Sequence, residues 1–487
     1  MKKSISLGTF LVITLLAGSL FASGVSLTGI GARATALGGA YRAVSNDWSA
    51  MYWNPAGLTQ IEGMHFGTSF ELIMPTSKYT LGDGAPGSYA VYKTTETEND
   101  PRTFYIPAAG FVYGKGNMSF GLSFYVPFGL GAKWNMFNTA SYNNDYPEFD
   151  FEDDLKIIDI HPSFAYKIKD KLSIGVGFSF TLADIIIRSP ASQLNPFFLD
   201  PEAETLISSV IEPMGLATDL YRNLQVDKEL EGDGTGMGFN FGVQYKLTED
   251  ITLGLSANWY SDISLDGKIS ATAYLPKIDD ETALLLSQGL NGFNEQLPDP
   301  FKMTQGKIDT IMGAFLGSQI PVYDKAKGDA KLALPMTVGG GIAYTGIENL
   351  LISADISWTQ WSCWDSIKIE IEQDQSTSYL IEKWEDGIRF SMGLEYKLMD
   401  LLKLRAGYYT EPSAIPNETL TITIPDLNRR HAINFGIGYC LGPVDLFASY
   451  EKIFVGDNDV AEWEDHNMAG KYKMNVNNIM FGLGYNF

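Results

Sequence analysis

Four histidines, His65, His161, His431 and His466, are the only side chains here that titrate near neutral pH without a shift. A hydrolase built on one of them needs a nucleophile and an orienting carboxylate nearby, and none of the four has a recognisable serine or carboxylate arrangement around it. No metal-ligand spacing appears either. Cys363 and Cys440 are too few for a disulfide framework and map near opposite ends of the strand pattern, so free thiols are expected. The chain is therefore expected not to be an enzyme and to carry no metal or cofactor. What remains is recognition chemistry. Arg389 and Arg405 alternate with apolar residues (Phe390, Met392, Leu394; Leu402, Leu404, Ala406), so both face away from that apolar side. Either they meet a ligand carboxylate or they pair with inward acids such as Asp355, Glu395 or Asp445. Arg33 poses the same choice. Pro127, within Tyr125-Val126-Pro127-Phe128-Gly129-Leu130-Gly131, has no N–H for a strand ladder. Either the strand stops there or it bends and opens a gap.

The elements that position these residues are strands with lipid on one side. From Tyr472 to Phe487 apolar residues alternate with glycine and asparagine, slipping once near Asn477 and Asn478, where the strand is expected either to carry a bulge or to start late. The fifth pattern is clearest: Leu172, Ile174, Val176, Phe178, Phe180 and Leu182 alternate with Ser173, Gly175, Gly177, Ser179, Thr181 and Ala183. Fourteen such segments fall near 62–77, 102–114, 117–130, 153–168, 171–188, 235–247, 250–266, 330–345, 349–367, 383–398, 401–411, 429–441, 443–456 and 472–487. An even count suits a single-chain antiparallel transmembrane β-barrel, and an arginine turned to lipid near mid-membrane would cost ~2–4 kcal/mol, which supports the inward register of Arg389 and Arg405. Barrels hide apolar residues by alternation, which reconciles 45% hydrophobic content with a mean hydropathy near zero. Residues 1–22 read as a secretory signal, with Lys2 and Lys3 before an apolar run, and no later stretch is long and apolar enough for a spanning helix. Such a chain belongs in a bacterial outer membrane. The net charge of −23 argues against nucleic acid, and acidic runs such as Glu152-Asp153-Asp154 are expected to be solvated loop.

Tight turns follow the even-numbered strands and long links follow the odd-numbered ones, the longest spanning about sixty residues between Asp266 and Ala330. That asymmetry matches periplasmic and extracellular rims. Within the loops at about 189–234 and 267–329, two stretches have helical apolar spacing: 202–225, with Leu206, Val210 and Met214, and 303–320, with Ile311 and Phe315. Their apolar faces either cap the barrel or form a capture groove. Residues 23–60 show no alternation, are rich in glycine and alanine, and end in Trp53-Asn54-Pro55-Ala56-Gly57-Leu58. A stretch this small and polar cannot face lipid, so a plug inside the barrel formed by 61–487 is expected.

Gly31-Ala32-Arg33 with Gly38-Gly39-Ala40, then Asn46-Asp47 and Asn54-Pro55-Ala56, closely resemble the amino-terminal hatch of the FadL/TodX family of outer-membrane transporters for long-chain fatty acids and aromatic hydrocarbons. Asp355-Ile356-Ser357-Trp358, Gly393-Leu394-Glu395-Tyr396 and Leu404-Arg405-Ala406-Gly407-Tyr408 resemble later landmarks in the same order. The resemblance implies a fourteen-stranded barrel, helical third and fourth extracellular loops, and a third strand kinked inward to open sideways into the membrane. It also implies passive passage of fatty acids or aromatic hydrocarbons: capture at the loops, a hatch that moves near Asn54, Pro55 and Ala56, and exit at Pro127, Phe128 and Gly129. A monomer surrounded by outer-membrane lipid and lipopolysaccharide is expected. The alternative is a structural, receptor or adhesin barrel without transport, for which a hatch would serve no purpose.

Overall fold

The computed structural model describes residues 25–27, 30–86, 89, 92–137, 146–194, 223–274, 280–296, 298–299, 302–306, 308–309, 319–373, 375–423 and 427–487. Fourteen antiparallel strands form one closed cylinder: β1 (Gly63–Leu81), β2 (Phe104–Lys115), β3 (Met118–Trp134), β4 (Phe151–Lys169), β5 (Leu172–Arg188), β6 (Asn223–Lys246), β7 (Ile251–Tyr260), β8 (Thr337–Ile347), β9 (Leu350–Thr359), β10 (Gly387–Met399), β11 (Leu402–Glu411), β12 (Arg430–Leu441), β13 (Val444–Val455) and β14 (Gly470–Asn486). Each pairs with its neighbours, and β14 closes on β1 without a register break from His65–Asn486 to Leu81–Gly470. Closure matters because a sheet edge in hydrocarbon leaves peptide groups unpaired.

Alternation sorts the side chains. Phe178, Phe180, Leu182, Phe239, Phe241, Phe390, Met392 and Leu394 stand exposed on the outer surface as an apolar belt. The alternate positions, among them Ser179, Thr181, Asn240, Asp355, Asn434 and Glu451, are buried inside. Arg405 is buried on the inner side of β11, as its parity required. Beyond the belt, β7 bends at Ser261–Asp262 and continues as Ile263–Tyr274, which pairs with Gln319–Leu332. Between β9 and β10 a hairpin of Ser366–Ile371 and Ser376–Ile381 extends the wall on the same long-loop side, anchored by the packed rings of Trp361, Trp364 and Trp384.

Four expectations need correction. Glu152-Asp153-Asp154 is not solvated loop: it opens β4, with Asp153 buried. No bulge occurs near Asn477 and Asn478: β14 is regular, and the apparent slip arises because Met474 and Val476 are apolar residues facing the lumen. The sixth strand starts at Asn223, twelve residues before the expected 235, because its upper half lies above the belt, where no lipid enforces apolar alternation. Within the expected 303–320, residues 305–306 and 308–309 are helical, but the same loop also holds a helix that the spacing did not predict, Asp280–Gln296. Its Leu284 and Leu285 are exposed while Leu290 is buried, so its apolar residues do not mark one face in sequence. Of the expected helix, residues 310–318, with Ile311 and Phe315, and all of 202–222, with Leu206, Val210 and Met214, lie outside the described residues. Cys363 and Cys440 are both free.

One loop anchor at the long-loop rim is pH-sensitive. Just before β4, the Asp150 carboxylate accepts the backbone N–H groups of Met136 (2.5 Å) and Phe137 (2.8 Å). Burial pushes its pKa from 3.8 up to about 7, against the pull of those bonds. A carboxyl raised in the folded state contributes stability that is complete below pH 3.8 and lost as pH rises through about 7. Hydrogen-exchange protection of the Met136 and Phe137 amides, corrected for intrinsic rate, should therefore fall between pH 5.5 and 8.5 by roughly ten-fold or more. Asp150→Asn should abolish that pH dependence.

Candidate functional site

Residues 30–62 fold inside the cylinder. They form α1 (Ala32–Ala36), α2 (Ala50–Trp53) and a 3-10 turn, Pro55–Gln60. Asn54 ends α2 and caps the turn: it is fully buried and extended, its Oδ1 accepts the Ala56 N–H (3.2 Å), and Pro55 takes the first turn position, where no N–H is needed. The Asn54 amide donates to the carbonyls of Arg42 (2.8 Å) and Val243 (3.0 Å), the latter on β6. Pro55, with Ala56 or Asn54, fills the space where Cβ atoms would stand on Gly175 and Gly242. The lumenal glycines of the alternating pattern are thus the bed in which this segment lies.

Charge fixes the segment to one side of the wall. Glu395 on β10 accepts Arg33 Nε (2.8 Å) from inside and Arg405 Nε (2.6 Å) from β11. Asp355 on β9 accepts the backbone N–H groups of Tyr41 (3.1 Å) and Arg42 (3.0 Å), with Arg42 Nη1 at 3.3 Å. The Arg389 guanidinium lies 3.5 Å from the Tyr409 ring centre and donates to the Gly38 carbonyl (3.3 Å). Asn240 on β6 donates to the Met51 carbonyl (2.6 Å), and Thr59 donates to Ser173 of β5 (2.7 Å). Toward β1, β2 and β3 the contact is packing: Trp48 and Met51 press on Gly67, Gly110 and Gly121.

On that packed side the wall is incomplete. The β2–β3 ladder runs from Lys115–Met118 only to Ala109–Phe124. The β3–β4 register then shifts between Tyr125 and Phe128, leaving Val126 and Pro127 as a bulge, and β3 continues along β4 to Trp134–Phe151. Meanwhile β2 stays on β1 as far as Phe104–Ile73. Phe104–Ala108 and Tyr125–Gly131 therefore face each other without ladder bonds. Above this gap the strands rejoin where Asp100 N–H reaches the Lys133 carbonyl (2.8 Å). The freed edge of β3 is met by the leading residues of the chain: Leu27 N–H donates to the Pro127 carbonyl (3.0 Å), and Gly129 N–H donates to the Val25 carbonyl (2.8 Å).

A cavity of about 350 Å³ joins this gap to the lumen. Ile106, Pro107, Val126 and Leu155 line its wall end, Ile73, Ile453, Met474 and Val476 its lumenal end. Gly129 lines it, Pro127 belongs to the adjoining bulge, and Phe128 is where the β3–β4 ladder resumes. Arg33, Arg389 and Arg405 do not line it; they hold the inner segment to β10 and β11. The lumenal cation at the cavity is Arg430, whose Nη2 meets Glu411 at 2.5 Å. Parity could have found it, because Ala432 and Asn434 on the same strand face inward. His161, also buried, lies within hydrogen-bond distance of the Ser179 hydroxyl (3.0 Å) and Asn240 Oδ1 (3.3 Å), and Ser179 donates to Asp159 (2.8 Å), whose Oδ1 has no partner among the described residues.

Comparison with known proteins agrees with this geometry. The model of a family described as outer membrane protein transport protein (OMPP1/FadL/TodX) matches residues 10–487. A long-chain fatty acid transport protein of Escherichia coli O6:H1 is 23% identical over 461 residues, covering 93% of this chain and 91% of the relative. Outer membrane protein P1 of Haemophilus influenzae is 23% identical over 375 residues, covering 72% of each. The fold is shared with a Pseudomonas aeruginosa FadL homologue (TM-score 0.69, 17% identity, 95% of this chain and 100% of that one) and with the P. putida toluene transporter TodX (TM-score 0.65, 18% identity, 95% and 99%). The chain belongs to the OMPP1/FadL/TodX family of outer-membrane transport proteins, which are channels and not enzymes.

Proposed function

We propose that this protein passes hydrophobic small molecules, either fatty acids or aromatic hydrocarbons, from the cell exterior sideways into the outer membrane by passive diffusion. The observation that carries this reading is the cavity that joins the lumen to the unladdered stretch between β2 and β3. A water-filled pore rejects an apolar chain, whereas an apolar lumen opening into lipid offers it about 0.8 kcal/mol per buried CH2 along the whole path. Capture falls to the long loops, where Leu284 and Leu285 of the Asp280–Gln296 helix already present apolar surface to water. Gating falls to residues 30–60 together with Val25–Leu27. Asn54, Pro55 and Ala56 serve as the anchored side of that gate, and the packed side at Trp48 and Met51 is the one that yields. Residues 1–22 act as the export signal, and the mature barrel works as a monomer among outer-membrane lipid and lipopolysaccharide.

Two measurements test the route. A Cβ on Gly129 would make only ordinary contacts, the nearest at 3.4 Å, so Gly129→Leu should fold and insert while its side chain fills the gap. Uptake of labelled oleate by cells carrying this variant should fall roughly ten-fold, about 1.4 kcal/mol of added barrier; unchanged uptake would reject lateral exit. Glu395→Gln removes the carboxylate shared by Arg33 and Arg405, which should cost the inner segment about 3–5 kcal/mol of anchoring. Ion conductance in planar bilayers should then rise while the barrel stays folded by heat-modifiability on gels. Wild-type conductance would show that this triad does not hold the gate.

A further inference from the structure

On its lipid-facing side β14 changes character along its length. Rising from the periplasmic end it presents Leu483, Phe481 and Ile479, and then Asn477, Asn475 and Lys473. The outward direction of the two asparagines is fixed by the buried Val476 and Asn478 with which they alternate. On β13 the exposed Leu446 and Tyr450 are likewise followed by Lys452, which stands directly opposite Asn477 in the ladder. These polar residues mark the end of the apolar belt on the long-loop side, the level of the outer-leaflet head groups. They are already organised. Lys452 Nζ donates to the Oδ1 atoms of Asn475 and Asn477 (3.1 Å to the latter), and the Tyr450 hydroxyl donates to Asn477 Oδ1 (2.9 Å). Among the described residues no carboxylate lies within ion-pair distance of Lys452. The lysines above it are neutralised: Lys473 meets Glu96 at 2.8 Å, Lys78 meets Glu96 at 3.4 Å and Glu98 at 3.5 Å, and Lys471 meets Asp459 at 3.9 Å.

We infer that this patch docks the lipid A head of lipopolysaccharide, a phosphate monoester of the outer leaflet, at Lys452. What the patch offers is donors. Both asparagine side-chain oxygens accept from the lysine, so their NH2 groups and the remaining ammonium proton have no acceptor among the described residues. Left to hydrocarbon, such donors and an uncompensated ammonium are costly. A phosphate monoester meets them together, because it brings three strong acceptor oxygens and more than one negative charge. The bonds formed at Lys452 are charge-assisted. The flanks suit the rest of the amphiphile: Tyr450 and Phe481, both exposed below Lys452, offer apolar surface to acyl chains, and the exposed Phe454 stands just above, its ring centre 5.9 Å from the ammonium. A lipid held here bridges β13 and β14 beside the seam at which β14 closes on β1. The site lies on the outer surface and is independent of the proposed route.

The test is native mass spectrometry of the intact protein in detergent, titrated with bisphosphoryl lipid A. The wild type should take up lipid A, and Lys452→Gln should weaken the first binding event by about ten-fold or more, the range expected for bonds to a charged group. The double variant Asn475→Leu/Asn477→Leu keeps the lysine and should lose a similar factor, because the donor array and not the charge alone forms the site. All three positions face lipid, so the variants should fold, which the heat-dependent shift in gel migration checks. Lys368→Gln, on the hairpin beyond β9 and paired with Glu370, should leave the affinity within about two-fold. Phosphatidylglycerol, a phosphate diester with a single charge, should bind about ten-fold more weakly than lipid A. No uptake by the wild type, or a loss below about two-fold in either patch variant, would overturn the docking site. Phosphatidylglycerol bound at Lys452 as tightly as lipid A would overturn the choice of lipid A over other anionic lipids.

Discussion

An unpaired peptide group in hydrocarbon costs several kcal/mol, and every feature of this molecule is arranged around that constraint. It closes fourteen strands into a cylinder and makes any interruption of the ladder conspicuous. The interruption between β2 and β3 is made tolerable locally. Pro107 and Pro127, one on each side, have no N–H to leave unpaired. The bulge tucks Val126 and Phe128 into buried positions. Val25 and Leu27 supply two of the hydrogen bonds that β2 would otherwise have made. The resulting seal is a two-bond contact set in a wall of continuous ladders, so the place where the barrel is most easily parted is also where an apolar cavity reaches it.

The lumen obeys a second constraint, that of space. Glycines on the inner faces of β2, β5, β6, β7, β10 and β11 let the backbone of the inner segment approach the wall to a distance no side chain would allow, and those of β1 and β3 make room for Trp48 and Met51. Polar anchoring is concentrated on the β5–β11 side, through Glu395, Asp355, Asn240 and the buried amide of Asn54. Packing without such anchors is found below the gap. Stiffness and compliance are therefore distributed across the cylinder: charge and hydrogen bonds on one half, interchangeable van der Waals contact on the other.

Much of this was legible in the chain. Alternation in β5 and the tight turns after even-numbered strands gave the barrel and its direction, because lipid outside and a filled lumen inside impose a period of two that no soluble sheet needs so strictly. The inner segment announced itself by lacking that period. Where lipid stops, the rule stops, which is why the upper half of β6 and the Asp280–Gln296 helix were not found. Met474 and Val476 misled for an informative reason: they are apolar because the cavity is apolar, and a two-letter pattern cannot distinguish a greasy lumen from lipid. Parity placed Arg389 and Arg405 inside but could not say what each would touch. Arg430, with the same parity, lines the cavity.

The pairing of β1 with β14 joins residues 421 positions apart, His65 and Asn486 among them. No local event can nucleate a contact so remote, and the loop entropy it must overcome is the largest the chain contains. The cylinder thus stays a curled, open ribbon until β14 meets β1. The inner segment, joined directly to the first strand, packs on both sides of that seam, Trp48 against Gly67 and Ala32 against Gly482. The vessel is complete only when this most distant seam is made.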